Sequence, residues 1–182
     1  IGDSPRAIPN QIRSGVPADV VILARQGLRE LIDEGFILEN SDTNLAHSVI
    51  GMVVAAGTTH PDISNPDSLR ETLLNASSIS VSGSTSGRYL TTELFPRLGV
   101  ADQIAPKTIT RGGAAVGRGE AEIGFQQISE LLPIEGADFV GAIPDELQFT
   151  TTYAAAILVN SVEASAAHRL IDYFASQDSV NL

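Results

Sequence analysis

Cysteine and tryptophan are absent from the 182 residues, and lysine occurs once, at Lys107. Without cysteine there is no disulfide, no thiolate nucleophile and no cysteine-ligated metal, a composition compatible with an oxidising compartment. Basic residues are scarce: 11 Lys and Arg stand against 22 Asp and Glu, a formal charge of −11, which argues against a nucleic-acid or anionic-membrane surface. Long apolar runs are missing too. YAAAILV at 153–159 falls far short of the roughly 20 residues that span a bilayer. The three histidines, His47, His60 and His168, are dispersed, with no pair at metal or triad spacing. Neither GxSxG nor GxGxxG occurs, and the lysine of a phosphate-binding Walker loop is not in place.

What remains is ordinary globular material, 43% hydrophobic, long enough for one large domain or two small ones. Helix and strand signals alternate. ADVVIL (18–23) and VIGMVVAAG (49–57) are continuous apolar runs, expected as strands buried on both faces. RQGLRELIDEG (25–35) places Leu28, Leu31 and Ile32 at helical spacing and stops at Gly35; PDSLRETLLNA opens with Pro66 and Asp67 in its first turn. SISV, AEIGFQQ, ADFVGAIP and TTYAAAILV read as further strands, and VEASAAHRLIDYFAS as a last helix carrying Ala166, Leu170 and Phe174 on one face. Helices between strands predict an α/β fold with mostly parallel pairing.

The stretch SGSTSGRYL (82–90) follows a strand and opens a helix whose Leu90, Leu94 and Leu98 share a face. Small hydroxyls and free N–H groups at that position suit an anion; the blander reading is that Ser84, Thr85 and Ser86 cap the helix. Ser4, ahead of PRAIPNQI, repeats the theme, with Pro9 either limiting that helix or starting it, and RGGAAVGRGEA (111–121) reads as a glycine-punctuated short helix or turn.

The blocks PNQIRSGVPADVVIL, LAHSVIGMVVAAGTTHPDIS, SGSTSGRYLTTELFPRLGV and RGEAEIGFQQISELL resemble, along essentially the whole chain, type II periplasmic solute-binding proteins of the group similar to molybdate-binding proteins of ABC transporters. The resemblance implies an α/β fold of two lobes, residues 1–50 with 155–182 and residues 51–154, closing on a ligand in the cleft between them. It implies an exported protein, periplasmic or extracellular, that holds a small anion for transporter membrane subunits without a cofactor. Members of the group begin with a strand, a serine loop and a helix ahead of the segment that opens here. Lobe one is therefore expected to lack a strand and a ligand loop, supplied by a second chain or lost because the sequence is a fragment.

Ligand positions carried over from the group are Ser4, the loop Thr85, Ser86, Gly87 and Arg88, the turn at Gly113 and Ala114, and Gln127. At the last of these the molybdate proteins bear a tyrosine. Arg88 and Arg111, beside two of these loops, favour a planar carboxylate over a tetrahedral oxyanion. Some members of the group act as aconitate isomerases, moving a double bond in a tricarboxylic acid. That alternative requires a base, and neither Tyr89 with Glu93 nor Glu120 with Glu122 forms a catalytic constellation in the sequence. The main expectation is therefore a non-enzymatic anion receptor.

Overall fold

The computed structural model describes residues 7–181. In chain order its elements are α1 (Ile8–Arg13), β1 (Val20–Ala24), α2 (Arg25–Asp33), β2 (Thr43–Ser48), β3 (Ile50–Ala55), α3 (Pro66–Asn75), β4 (Ile79–Val81), α4 (Thr85–Tyr89), a π-helical turn (Leu90–Leu94), α5 (Phe95–Arg97), α6 (Ala101–Ile104), β5 (Thr108–Thr110), α7 (Ala114–Gly117), β6 (Ile123–Gln127), α8 (Ile128–Leu131), β7 (Ala137–Ala142), β8 (Thr151–Ile157) and α9 (Ala164–Ala175). They fall into two compact units, Ile1–His47 with Thr151–Leu182, and Ser48–Thr150.

The first unit is built on a three-stranded sheet, β1-β8-β2. Its central strand is a small-residue ribbon whose alternation feeds two cores. Ala154 and Ala156 pack with Val21, Leu23, Leu28 and Leu31 on one face, and Ala155 and Ile157 pack with Ala167 and Ile171 on the other. Two expectations change here. β1 is an edge strand rather than one buried on both faces: Ile22 is 41% exposed, because the core around α9 takes in Val20 and does not extend to Ile22. In α9 the buried stripe is Ala167 and Ile171, one position on from the expected face, which leaves Leu170 and Phe174 exposed. The first helix begins at Ile8, with Pro9 in its opening turn where a missing N–H costs nothing; Ser4 lies outside the described residues.

The second unit carries a five-stranded sheet, β5-β4-β6-β3-β7. Parallel pairing is confined to β5-β4-β6, whereas β3 runs antiparallel to both β6 and β7. The mostly parallel expectation fails at β3: helix α3 separates it from β4, yet β3 runs antiparallel to β6, to which β4 is parallel, so a helix between two strands does not by itself make them parallel. Both faces of β3 are covered. Met52 and Val54 join the larger core with Ile79, Phe125, Leu69, Leu73, Leu90 and Leu94, and Val53 joins Ala115, Val116 and Leu131 behind. Helix α3 starts as its sequence specifies: the Asn65 side chain accepts from the Ser68 N–H, and Pro66 occupies the first turn.

Candidate functional site

Parallel strands deliver their carboxyl ends to one edge of a sheet, and open α/β sheets bind ligands there. In the second unit Val81 of β4 lies in register with Thr110 of β5 and Phe125 of β6, so the loops that follow all three strands leave from a common edge. The loop after β4 is the serine stretch. Ser82, Ser84 and Ser86 point their hydroxyls at one another, with Oγ–Oγ distances of 2.8 Å (Ser82 to Ser84), 3.0 Å (Ser82 to Ser86) and 3.2 Å (Ser84 to Ser86). The Gly87 N–H donates to Ser82 Oγ at 3.2 Å.

This is not ordinary capping by the helix's own first residues. Ser84 occupies the N-cap position yet its side chain makes no cap hydrogen bond. The free N–H of the first turn is taken instead by Ser82, two residues earlier. The tight approach of this turn to β4 requires glycine at 87, since a Cβ there would lie 1.7 Å from the Ser82 carbonyl oxygen.

A cavity of about 160 Å³ opens over this loop, lined by Val81, Ser82, Gly83, Ser84, Gly87, Arg88, Thr91 and Thr110. Arg88 is exposed on its wall, and no carboxylate among the described residues pairs with it. Arg111 differs. Its guanidinium reaches Glu120 at 3.0 Å, and Arg118 holds the same carboxylate at 2.8 Å. Those hydrogen bonds, from Arg118 first and Arg111 second, pull Glu120 down to about 2. Two arginines that look alike in sequence are thus distinct: Arg111 is committed to a neighbour and Arg88 is available.

The other expected positions distribute as follows. Ser86 and Gly87 are buried beneath the cavity, with Thr85 opening the helix. Gly113 and Ala114 stand at the start of α7 after β5, tied to the same edge by the Gly112 N–H donating to the Val81 carbonyl at 2.9 Å. The Gly113 N–H is itself engaged, donating to Gln126 Oε1 at 2.8 Å. Gln127 ends β6 and is buried, and it does not line the serine cavity. The structure adds Ser82, Ser84, Thr91 and Thr110 to the wall. The two serines stood in the quoted stretch; the threonines arrive through one helical turn and one strand pairing, which the string of letters does not display. Among the histidines, His47 meets the Thr152 hydroxyl at 3.1 Å and His60 stands 3.9 Å from Asp138; neither lines this cavity.

Known proteins agree with this architecture. The family model described as bacterial extracellular solute-binding protein matches residues 2–180. An aconitate isomerase from a Pseudomonas species is 42% identical over 183 residues, covering 98% of this chain and 70% of the isomerase. Among solved structures, the periplasmic molybdate-binding protein of Azotobacter vinelandii superposes with a TM-score of 0.73 at 18% identity, over 96% of this chain and 79% of its own. The sulfate-binding protein of Mycobacterium tuberculosis H37Rv gives 0.69 at 16% identity, over 94% and 68%. These two likenesses bear on the fold alone, and they bear out the type II binding-protein architecture that the sequence blocks resemble. With nearly the whole chain covered by the family model, this protein belongs to the bacterial extracellular solute-binding protein family.

Proposed function

We propose that the serine loop holds a small organic polycarboxylate of the aconitate class and that the protein interconverts the isomers of that acid. The observation that carries the reading is Arg88, an arginine without a carboxylate partner among the described residues in a chain with twice as many acids as bases, on the wall of a cavity edged by serine hydroxyls. A guanidinium presents two parallel N–H donors that the two oxygens of a carboxylate can accept side by side. The 42% identity with an aconitate isomerase supports the same ligand class.

In this reading Arg88 takes one carboxylate end-on. The Ser82, Ser84 and Ser86 hydroxyls turn from one another toward the ligand, and the helix beginning at Thr85 and Gly87 adds its positive end. The Gly113–Ala114 turn completes the set, with the Gly113 N–H reached once the Gln126 carboxamide has moved. Migration of the double bond requires a base that takes a proton from the carbon beside one carboxylate and an acid, the same group once protonated or another, that delivers a proton to the far end of the allylic unit. The charge that builds on that carboxylate in between is what Arg88 and the hydroxyls stabilise.

A second reading, favoured by membership of the bacterial extracellular solute-binding protein family, is a receptor that hands an unchanged anion to ABC transporter membrane subunits. Proton NMR of the protein with cis- and with trans-aconitate separates the two, run beside thermal unfolding with citrate, sulfate and molybdate. Conversion of one aconitate into the other establishes the isomerase. Stabilisation without conversion establishes the receptor, since a ligand at 100 times its Kd adds about 2.7 kcal/mol to the native state. Arg88→Ala is expected to remove most carboxylate affinity. Unchanged aconitate binding in that variant would sink the assignment of the site.

A further inference from the structure

The helix that leaves the serine loop is not a regular one. Residues 85–97 run as α4, a five-residue π turn and α5 without a break. The Phe95 N–H reaches back five residues to the Leu90 carbonyl. Pro96 accounts for the widening. It has no N–H to return to the helix, and its ring would press on the carbonyl of Thr92, one α turn earlier. Such π turns occur mostly as single insertions inside α-helices, frequently at functional sites. Here the turn lies between the cavity residues Gly87, Arg88 and Thr91 and the core anchors Leu94 and Phe95, so its width sets how the cavity wall is rotated against the core.

Two threonine hydroxyls brace the start of this turn. Thr91 Oγ1 lies 3.0 Å from the Gly87 carbonyl oxygen and 3.1 Å from that of Arg88, so its single O–H is shared between the two, and Thr92 Oγ1 donates to the Arg88 carbonyl at 2.9 Å. Of the two, only Thr91 also lines the cavity. Below them the helix is fixed by Leu90 and Leu94, both buried, and by Tyr89, whose ring stacks on Phe149 at 5.1 Å while its hydroxyl donates to the Leu147 carbonyl at 2.9 Å. The core side of the helix is thus held by packing. On the cavity side the carbonyls of Gly87 and Arg88 are steadied by the threonine hydroxyls.

We infer that Thr91 is a positioning residue: by gripping the Gly87 and Arg88 carbonyls it holds the widened turn so that Arg88 is aimed along the cavity wall at the ligand carboxylate. The inference rests on the carboxylate reading above and adds to it a residue that acts through Arg88 rather than by charge of its own. Thr91→Val removes the hydroxyl and keeps the shape; Thr91→Ser keeps the hydroxyl.

The test is calorimetric titration with trans-aconitate of the wild type, both variants, Arg88→Lys and the Thr91→Val/Arg88→Lys pair, with amide hydrogen exchange of residues 86–92 in the ligand-free proteins. The expected result is a Kd raised at least about tenfold in Thr91→Val and within about threefold of wild type in Thr91→Ser. With Arg88→Lys in place, Thr91→Val should add less than about twofold, because contacting residues that act as a unit are not additive. Exchange at 86–92 should quicken in Thr91→Val and not in Thr91→Ser. Full additivity of the pair overturns the positioning role, as does unaltered affinity or exchange in Thr91→Val. If the wild type itself binds no aconitate, the carboxylate reading falls and the role of Thr91 with it. Should Thr91→Val fail to fold, Thr91→Ala takes its place in the same cycle.

Discussion

Two glycines of the serine loop, Gly83 and Gly87, carry opposite expectations, and the difference is one of distance. A methyl group on Gly87 would lie 1.7 Å from the Ser82 carbonyl oxygen, with backbone on both sides of the clash. On Gly83 it would meet only the Thr110 methyl at 3.5 Å, an ordinary contact. Gly87→Ala should therefore force the loop away from β4, at a cost of about 3 kcal/mol in urea unfolding by analogy with overpacked sites, and should abolish aconitate binding. Gly83→Ala should stay within about 0.5 kcal/mol of wild type. Equal stability of the two variants would show that the loop does not pack on β4 in this way. The loop was legible in the sequence as hydroxyls and glycines between a strand and a helix, a pattern that also suits plain capping, and Ser82 and Ser84 joined the wall only in the structure. The separate fates of Arg88 and Arg111 were not, since a partner such as Glu120 is chosen by folding and both arginines stand beside glycines in the string.

At the scale of elements, the strands with continuous apolar character were readable and their surroundings were not. VVILA and IGMVVA look alike, yet β3 sits inside a five-stranded sheet and β1 at the edge of a three-stranded one. The polar strand β2 (TNLAHS) and the three-residue β5 carry too little periodicity to announce themselves. The π turn was hidden because Leu90, Leu94 and Leu98 keep α spacing, and only Pro96 hints that the helix must widen. One element-scale contact involves the single lysine. Lys107, just ahead of β5, donates its ammonium to the Leu74 carbonyl at 2.7 Å and to the Ala76 carbonyl at 2.5 Å, closing the C-terminal end of α3. Cations favour that end of a helix, and hydrogen bonds from charged groups are stronger than neutral ones. Lys107→Met should cost about 1–2 kcal/mol in chemical denaturation, whereas Arg169→Met on the exposed side of α9 should cost almost nothing. An equal, negligible cost for both would remove Lys107 from the account of how α3 ends.

For the whole molecule the excess of acids sets the pH response. Well above the isoelectric point, near 4.5, the −11 charge repels itself and opposes compaction. Acidification relieves that repulsion first, and then reaches carboxylates that the fold holds in their charged form. Asp19 is lowered by the Ser161 hydroxyl and nearby backbone N–H groups, Glu34 by Arg13, Asp62 by the Ser64 backbone and the Ser64 and Ser68 hydroxyls, Glu122 by Ser77, and Glu120 to about 2 by Arg118 and Arg111. Each has a folded value below its unfolded one, so in the interval between them the unfolded chain binds more protons and stability rises with pH. The contribution of Glu120 is fully present above its ordinary value of 4.5 and is lost as the pH falls through about 2. Thermal unfolding from pH 7 to 2 should therefore show a melting temperature that holds or rises toward pH 4.5 and then drops. In Glu120→Gln the drop between pH 4.5 and 2 should be shallower, since the group that titrates in that window is gone. A decline of the same steepness in wild type and variant would mean that the arginine pair does not hold Glu120 in its charged form.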